Sequence, residues 1–305
     1  MLPQSDRAGL LYALAGFCLL TIGDAIIKGV DGAWPPTATA SLRYVIGAVA
    51  LTVLLVAKEG LAPLRHIPDL RFQWLRGAAV GFATISFFAG IWLMPLTEAI
   101  AIVFTQPMIT AFLAAAFLGE RLRMSTIIAT IIAFVGVLII LRPNFALIGW
   151  AALLPLGASV GMSVLMTANR AVAGRGSALA MQAYVAIFAA IVLVVVTTAG
   201  WVSGMPNLAL SAPSGDVVLR CAVVAVTAST AHFLIYKATE LAGAGTIAPM
   251  TYGQLIMASV LGYLFFQEIP DRETMLGAAI IVGSGLWLWV SGRKPIAQSP
   301  ISPTR

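Results

Sequence analysis

The feature that most constrains this chain is its long apolar runs without a single charge, such as TIIATIIAFVGVLIIL at 126–141 and AYVAIFAAIVLVVVTT at 183–198. A helix needs ~20 mostly apolar residues to cross a hydrocarbon core of ~30 Å, and runs of this kind recur along the whole sequence. Their continuity excludes a membrane barrel, whose strands alternate apolar and polar residues over about ten positions. Of the 305 residues, 60% are hydrophobic and 10% charged, against roughly 25% charged in a soluble domain. Charge this sparse cannot cover a water-facing surface, and the apolar content is too high for disorder. The sequence predicts an all-α membrane protein.

Apolar runs between polar breaks predict ten transmembrane helices, at about 9–28, 37–57, 72–93, 97–118, 124–141, 148–169, 178–200, 217–237, 242–266 and 274–291. The breaks carry turn residues: Asp31-Gly32 then Pro35-Pro36, Arg142-Pro143-Asn144, Gly174 to Gly176, and Pro270-Asp271. No small-residue cleavage site follows the first run, which reads as a retained helix rather than a signal peptide. The Pro/Ser-rich tail, 293–305, is predicted to be a disordered cytoplasmic extension. The net charge of +6 does not point to nucleic acid, because the basic residues stand singly at span ends. Arg7, Lys58, Arg65, Arg71, Arg76, Arg121, Arg123, Arg170, Arg175, Lys237, Arg293, Lys294 and Arg305 fall on one side. Only Lys28, Arg142, Arg220 and Arg272 fall on the other, and Arg43 lies within a span. This asymmetry predicts an inner (plasma) membrane protein with both termini in the cytoplasm. Cys18 and Cys221 both sit inside apolar runs, so neither a disulfide framework nor a cysteine metal site is expected.

The chain also repeats itself. FTQPMITAFLAAAFLGERL (104–122) parallels YGQLIMASVLGYLFFQEIP (252–270), and a shift of 148 places Gln106 on Gln254, Phe117 on Phe265 and Glu120 on Glu268. The two long loops, about 58–71 and 201–216, each follow the second helix of a five-helix half, and only the first is basic. Five is odd, so the second half must enter the membrane upside down. The expected organisation is two inverted five-helix repeats, 1–145 and 146–292, with the working site near the midplane between them.

On these residues the chain resembles the drug/metabolite transporter superfamily, specifically its EamA-type ten-helix exporters. The resemblance rests on Leu42-Arg43-Tyr44, Pro107, Gly119-Glu120-Arg121 and Gly136 in the first half. In the second it rests on Pro249, Tyr252, Gln254, Glu268, Pro270, Gly277 and Gly283. One departure is Ala129, where the second half has Gly277; it concerns helix packing. The resemblance implies export or exchange of small organic metabolites by alternating access, with the neutral and aromatic amino-acid exporters as the nearest branch.

Among residues that could carry chemistry, Gln106 and Gln254 come first. A primary amide in hydrocarbon needs partners and so faces the bundle interior or water. Both a solute contact and a helix–helix bridge fit. Pro107 frees the carbonyl of Val103 beside Gln106, which tilts the reading toward a site. His232 suits either proton coupling or a hydrogen bond to a neighbouring helix. Tyr252 and Tyr44 carry hydroxyls inside spans, and Phe87 and Trp92 could stack on a substrate ring. Asp24 and Lys28, four apart on one helix face, are expected to pair with each other, with a gating role as the alternative. Arg43 demands a partner or a water-filled cavity and reads as a structural ion pair or gating group ahead of a substrate contact, and Glu120 and Glu268 read as structural. No fixed charge is expected at the cavity midplane, which favours a net-neutral or zwitterionic substrate over a polyanion.

A reading from another class is an intramembrane serine hydrolase. Gly157-Ala158-Ser159-Val160-Gly161 matches GxSxG, with His232 two helices later. The nucleophile elbow requires a strand-to-helix turn, whereas this segment lies mid-helix, and Gly157 and Gly161 have the spacing of a close helix contact. A channel-like facilitator lies between the two readings. HExxH, P-loop and GxGxxG patterns are missing, so no cofactor, metal or catalytic residue is expected. The expected partners are a small-molecule substrate and the lipid bilayer, with no nucleic acid.

Overall fold

A computed structural model describes residues 4–119, 124–172, 174–242 and 247–292. Among these residues every regular element is helical. The first half holds α1 (Gln4–Lys28), α2 (Pro36–Glu59), the single turn α3 (Ala62–Arg65), α4 (Leu70–Leu93), α5 (Leu96–Val103), α6 (Gln106–Leu118) and α7 (Met124–Ile148). The second holds α8 (Leu154–Ala171), α9 (Ala178–Val202), α10 (Gly215–Ala242), α11 (Gly253–Phe266) and α12 (Arg272–Gly292). Side chains such as Leu138, Val195 and Phe265 are 64%, 61% and 70% exposed. A water-soluble surface would hide such groups, whereas lipid solvates them.

Two predicted spans are interrupted. The segment expected at about 97–118 divides into α5 and α6 at Phe104-Thr105. Within the segment expected at about 242–266 a tight 3₁₀ turn, Ala248–Tyr252, precedes α11. Pro107 and Pro249 stand at these interruptions, where a missing N–H leaves the helical ladder incomplete. Nine described segments are long and apolar enough to cross a membrane, and the interrupted α11 segment is the expected span that falls short. One predicted turn does not form. α7 runs through Arg142, Pro143 and Asn144 and ends at Ile148, because the apolar residues Phe145 to Ile148 extend it. The chain reverses instead at Gly149, whose φ of +60° suits glycine. The 293–305 tail, Glu120, Arg121 and Arg123 lie outside the described residues.

The helix contacts obey a two-fold exchange of halves. α1 packs along α10, and its counterpart α8 packs along α4; α10 also meets α2, as α4 meets α9. α6 lies against α8 as α11 lies against α1, while α2 pairs with α9 and α7 with α12. Small residues let these backbones approach closely. A Cβ added at Gly161 would lie 2.8 Å from the Ala79 carbonyl oxygen, and one at Gly136 would lie 2.7 Å from that of Gly277. Phe88, Ile91, Leu96, Ile102, Ile140 and Ile281 form the main buried cluster where the halves meet.

Candidate functional site

A cavity of about 570 Å³ lies between the halves. Gln106 and Gln254 both line it, and each follows directly on the interruption in its span. Neither side-chain amide hydrogen-bonds to another described residue, so both keep their donors and acceptors for a ligand or water. The interruption in the first half is held by α8. Ser159 Oγ reaches Thr105 Oγ1 at 2.8 Å and donates to the freed Val103 carbonyl at 3.5 Å, and Ser163 Oγ donates to the Gln106 carbonyl at 3.0 Å. These bonds satisfy backbone groups that hydrocarbon would leave orphaned. They also account for Ser159, which is fully buried and has no bond to His232. The nucleophile–base pair that a hydrolase requires is not formed.

His232, Tyr44 and Phe87 line the cavity too. The imidazole is accessible from it and bonds to no described residue, so the helix-bridging reading of His232 finds no partner. The Tyr44 hydroxyl accepts from Thr84 Oγ1 at 3.2 Å. Tyr252 and Trp92 are placed elsewhere. The 3₁₀ turn advances side chains by ~120° per residue rather than ~100°, and Tyr252 turns away from the cavity. Its hydroxyl lies where a Cβ on Gly285 would be only 1.8 Å away, and its ring meets Phe104 edge-on at 5.3 Å. Phe104 and Tyr252 are equivalent positions under the 148-residue shift, so this ring pair marks the two-fold relation itself. The Trp92 indole donates to the Ile27 carbonyl at 3.1 Å and belongs to the packing of α1 on α4.

The expected Asp24–Lys28 pair is not formed. Lys28 is 8% exposed and its ammonium contacts Glu268 Oε1 at 2.7 Å, the Met94 carbonyl at 2.8 Å and the Ile91 carbonyl. Those carbonyls are left open where α4 ends, so three acceptors converge there and draw the amine away from Asp24. Glu268 Oε2 in turn accepts from the Leu96 backbone N–H at 2.9 Å. The resulting tie joins α1, the α4–α5 turn and the end of α11, closing the bundle at the end opposite the basic loop.

Asp24 and Arg43 line the cavity instead, so it is more charged than the sequence predicted. Arg76 also reaches it and was missed as a site residue, because a basic group near a span end reads as a topology signal. It is 4% exposed and donates to Asn169 Oδ1 at 2.6 Å, the Met181 carbonyl at 3.2 Å and Gln73 Oε1. Asn169 and Gln182 line the same end of the cavity; their polarity near span ends hid them in the same way.

The EamA-like transporter family matches twice, over residues 7–142 and 149–290. An S-adenosylmethionine uptake transporter of Rickettsia prowazekii is 25% identical over 95% of each chain. A riboflavin transporter of Vibrio cholerae is 27% identical over 90% of each chain. A pseudopaline exporter of Pseudomonas aeruginosa is 24% identical over 90% of this chain and 94% of its own. A solved crystal structure superposes with a TM-score of 0.64 over 94% of this chain and 99% of that one, at 19% identity, which shows the fold. With two family matches covering both halves, the chain belongs to the EamA-like transporter family, within the drug/metabolite transporter superfamily.

Proposed function

We propose that the protein is a secondary transporter that carries a small, polar, ring-bearing metabolite through the central cavity by alternating access. The observation that carries this reading is the cavity between the halves, where two interrupted spans each bring an unpaired amide, Gln106 and Gln254. Its volume falls within the ~300–1,000 Å³ of small-molecule sites. Tyr44 and Phe87 supply ring faces and edges. The relatives named above support a ring-bearing solute, since S-adenosylmethionine and riboflavin both contain a planar heterocycle. An amino-acid solute, implied by the earlier resemblance, has no counterpart among those names. The proposed setting is the inner membrane with both termini in the cytoplasm.

The test is counterflow of labelled S-adenosylmethionine, riboflavin and tryptophan in proteoliposomes, with Gln106→Leu and Gln254→Leu as variants. Leucine keeps the approximate volume and removes every donor and acceptor. Each change should weaken solute affinity by ~1–3 kcal/mol through unpaired polar groups on the solute, with thermal stability unchanged. Unchanged affinity alongside a lowered melting temperature would make the amides structural and overturn the site assignment.

A further inference from the structure

Two side chains of opposite charge line the cavity without pairing. Asp24 projects from the C-terminal part of α1 and Arg43 from the second turn of α2. Both face the same cavity. Yet among the described residues no ion pair joins them, and neither side chain makes a hydrogen bond. Arg43 lies over the rings of Tyr44 and Phe88, 5.1 and 5.6 Å from their centroids. The other cation of the cavity, Arg76, is engaged by Gln73, Asn169 and Met181. His232, on α10, faces the same space.

Charges left open within a membrane are costly and mark binding sites. A lone anion bound at Arg43 would leave Asp24 facing like charge, and a lone cation bound at Asp24 would do the same to Arg43. A dipolar ligand satisfies both at once. We infer that Asp24 and Arg43 form a receptor for a dipolar head group, an ammonium and a carboxylate on one carbon as in an α-amino acid. The carboxylate meets the forked donors of Arg43, which suit it bidentately, and the ammonium meets Asp24. The rings beneath Arg43 hold the guanidinium plane in place, and the remainder of the ligand extends toward Phe87 and the two glutamines. This inference rests on the transporter reading and names the part of the solute that these two residues recognise.

The test measures calorimetric binding of S-adenosylhomocysteine and methylthioadenosine to the full-length purified protein. The two share a nucleoside thioether and differ in the amino-acid head group. S-adenosylhomocysteine should bind at least about ten-fold more tightly, as one charge-assisted recognition element allows. Asp24→Asn, which keeps shape and removes charge, should abolish that preference while leaving methylthioadenosine affinity unchanged. Arg43→Gln should do the same, and an unaltered melting temperature shows that each variant is folded; if Arg43→Gln is not, Asp24→Asn carries the test alone. Equal affinity for the two nucleosides in the wild type, equal losses for both in the variants, or no binding of either overturns the receptor. Counterflow separates the two failures. Vesicles that exchange none of the ring-bearing solutes overturn the transporter reading, whereas exchange of both nucleosides at rates unaffected by Asp24→Asn overturns only the head-group receptor.

Discussion

An ammonium group ringed by a carboxylate and two carbonyls is costly to remove, and Lys28 holds that position. Lys28→Met strands the Glu268 carboxylate, 16% exposed, and leaves the Ile91 and Met94 carbonyls unpaired. Breaking one partner of a buried pair costs about 3–5 kcal/mol, so unfolding of the purified protein should shift by that order. The double variant Lys28→Met with Glu268→Gln should recover part of the loss, because no charge remains stranded. Equal, small effects in the single and double variants would show that the tie contributes little. At this scale the sequence was partly readable. It singled out Asp24, Lys28 and Arg43, since charges in a span always require an account, but it assigned the wrong partner. Helical spacing shows which side chains share a face and says nothing of an acceptor such as Glu268, distant in sequence and brought close only by the fold.

The helices themselves were legible because lipid demands long apolar runs, and the equivalent Gln106 and Gln254 segments revealed the duplication. Interruptions were less so. Pro107 announced a loosened span, but the hydroxyls of Ser159 and Ser163 that stabilise it come from α8, and no local pattern predicts them. The run through Pro143 in α7 was missed because the turn signal of Arg-Pro-Asn was outweighed by the apolar residues after it. Contact between elements yields a firm prediction at Gly161. Its added Cβ would meet the Ala79 carbonyl at 2.8 Å and the Ala83 Cβ at 2.9 Å, atoms that a side-chain rotation cannot clear. Gly161→Ala should therefore destabilise the protein by ~1–3 kcal/mol, read as a lower melting temperature. Gly47→Ala, with nothing within 4 Å of the new Cβ, should stay within about 0.5 kcal/mol of the wild type. Similar shifts in both would remove the α4–α8 contact as the cause.

For the molecule as a whole, the basic loop containing Lys58, Arg65 and Arg71 and its repeat partner without Lys or Arg should lie on opposite sides of the membrane. A reporter fused after Arg65 is expected to be cytoplasmic and one fused near Asn207 external. Both reporters on one side would overturn the inverted arrangement. The way the helices interlock reaches further. α1 is fitted to α10 at Gly9 and Gly16, where an added Cβ would lie 2.6 Å from Ala242 Cβ and 2.8 Å from Ile235 Cγ1, as α8 is fitted to α4 at Gly161. The boundary between the repeats is therefore not a joint. The pairings of α1 with α10 and of α8 with α4 each take one helix from either repeat. Asp24 and His232 belong to the first pair, and Arg76 and Phe87 to the second. A chain severed at the repeat boundary would give two fragments, each holding one helix of both pairs and neither holding a complete pair. Neither fragment could enclose the cavity alone, and the cavity would form again only when the two reassociated.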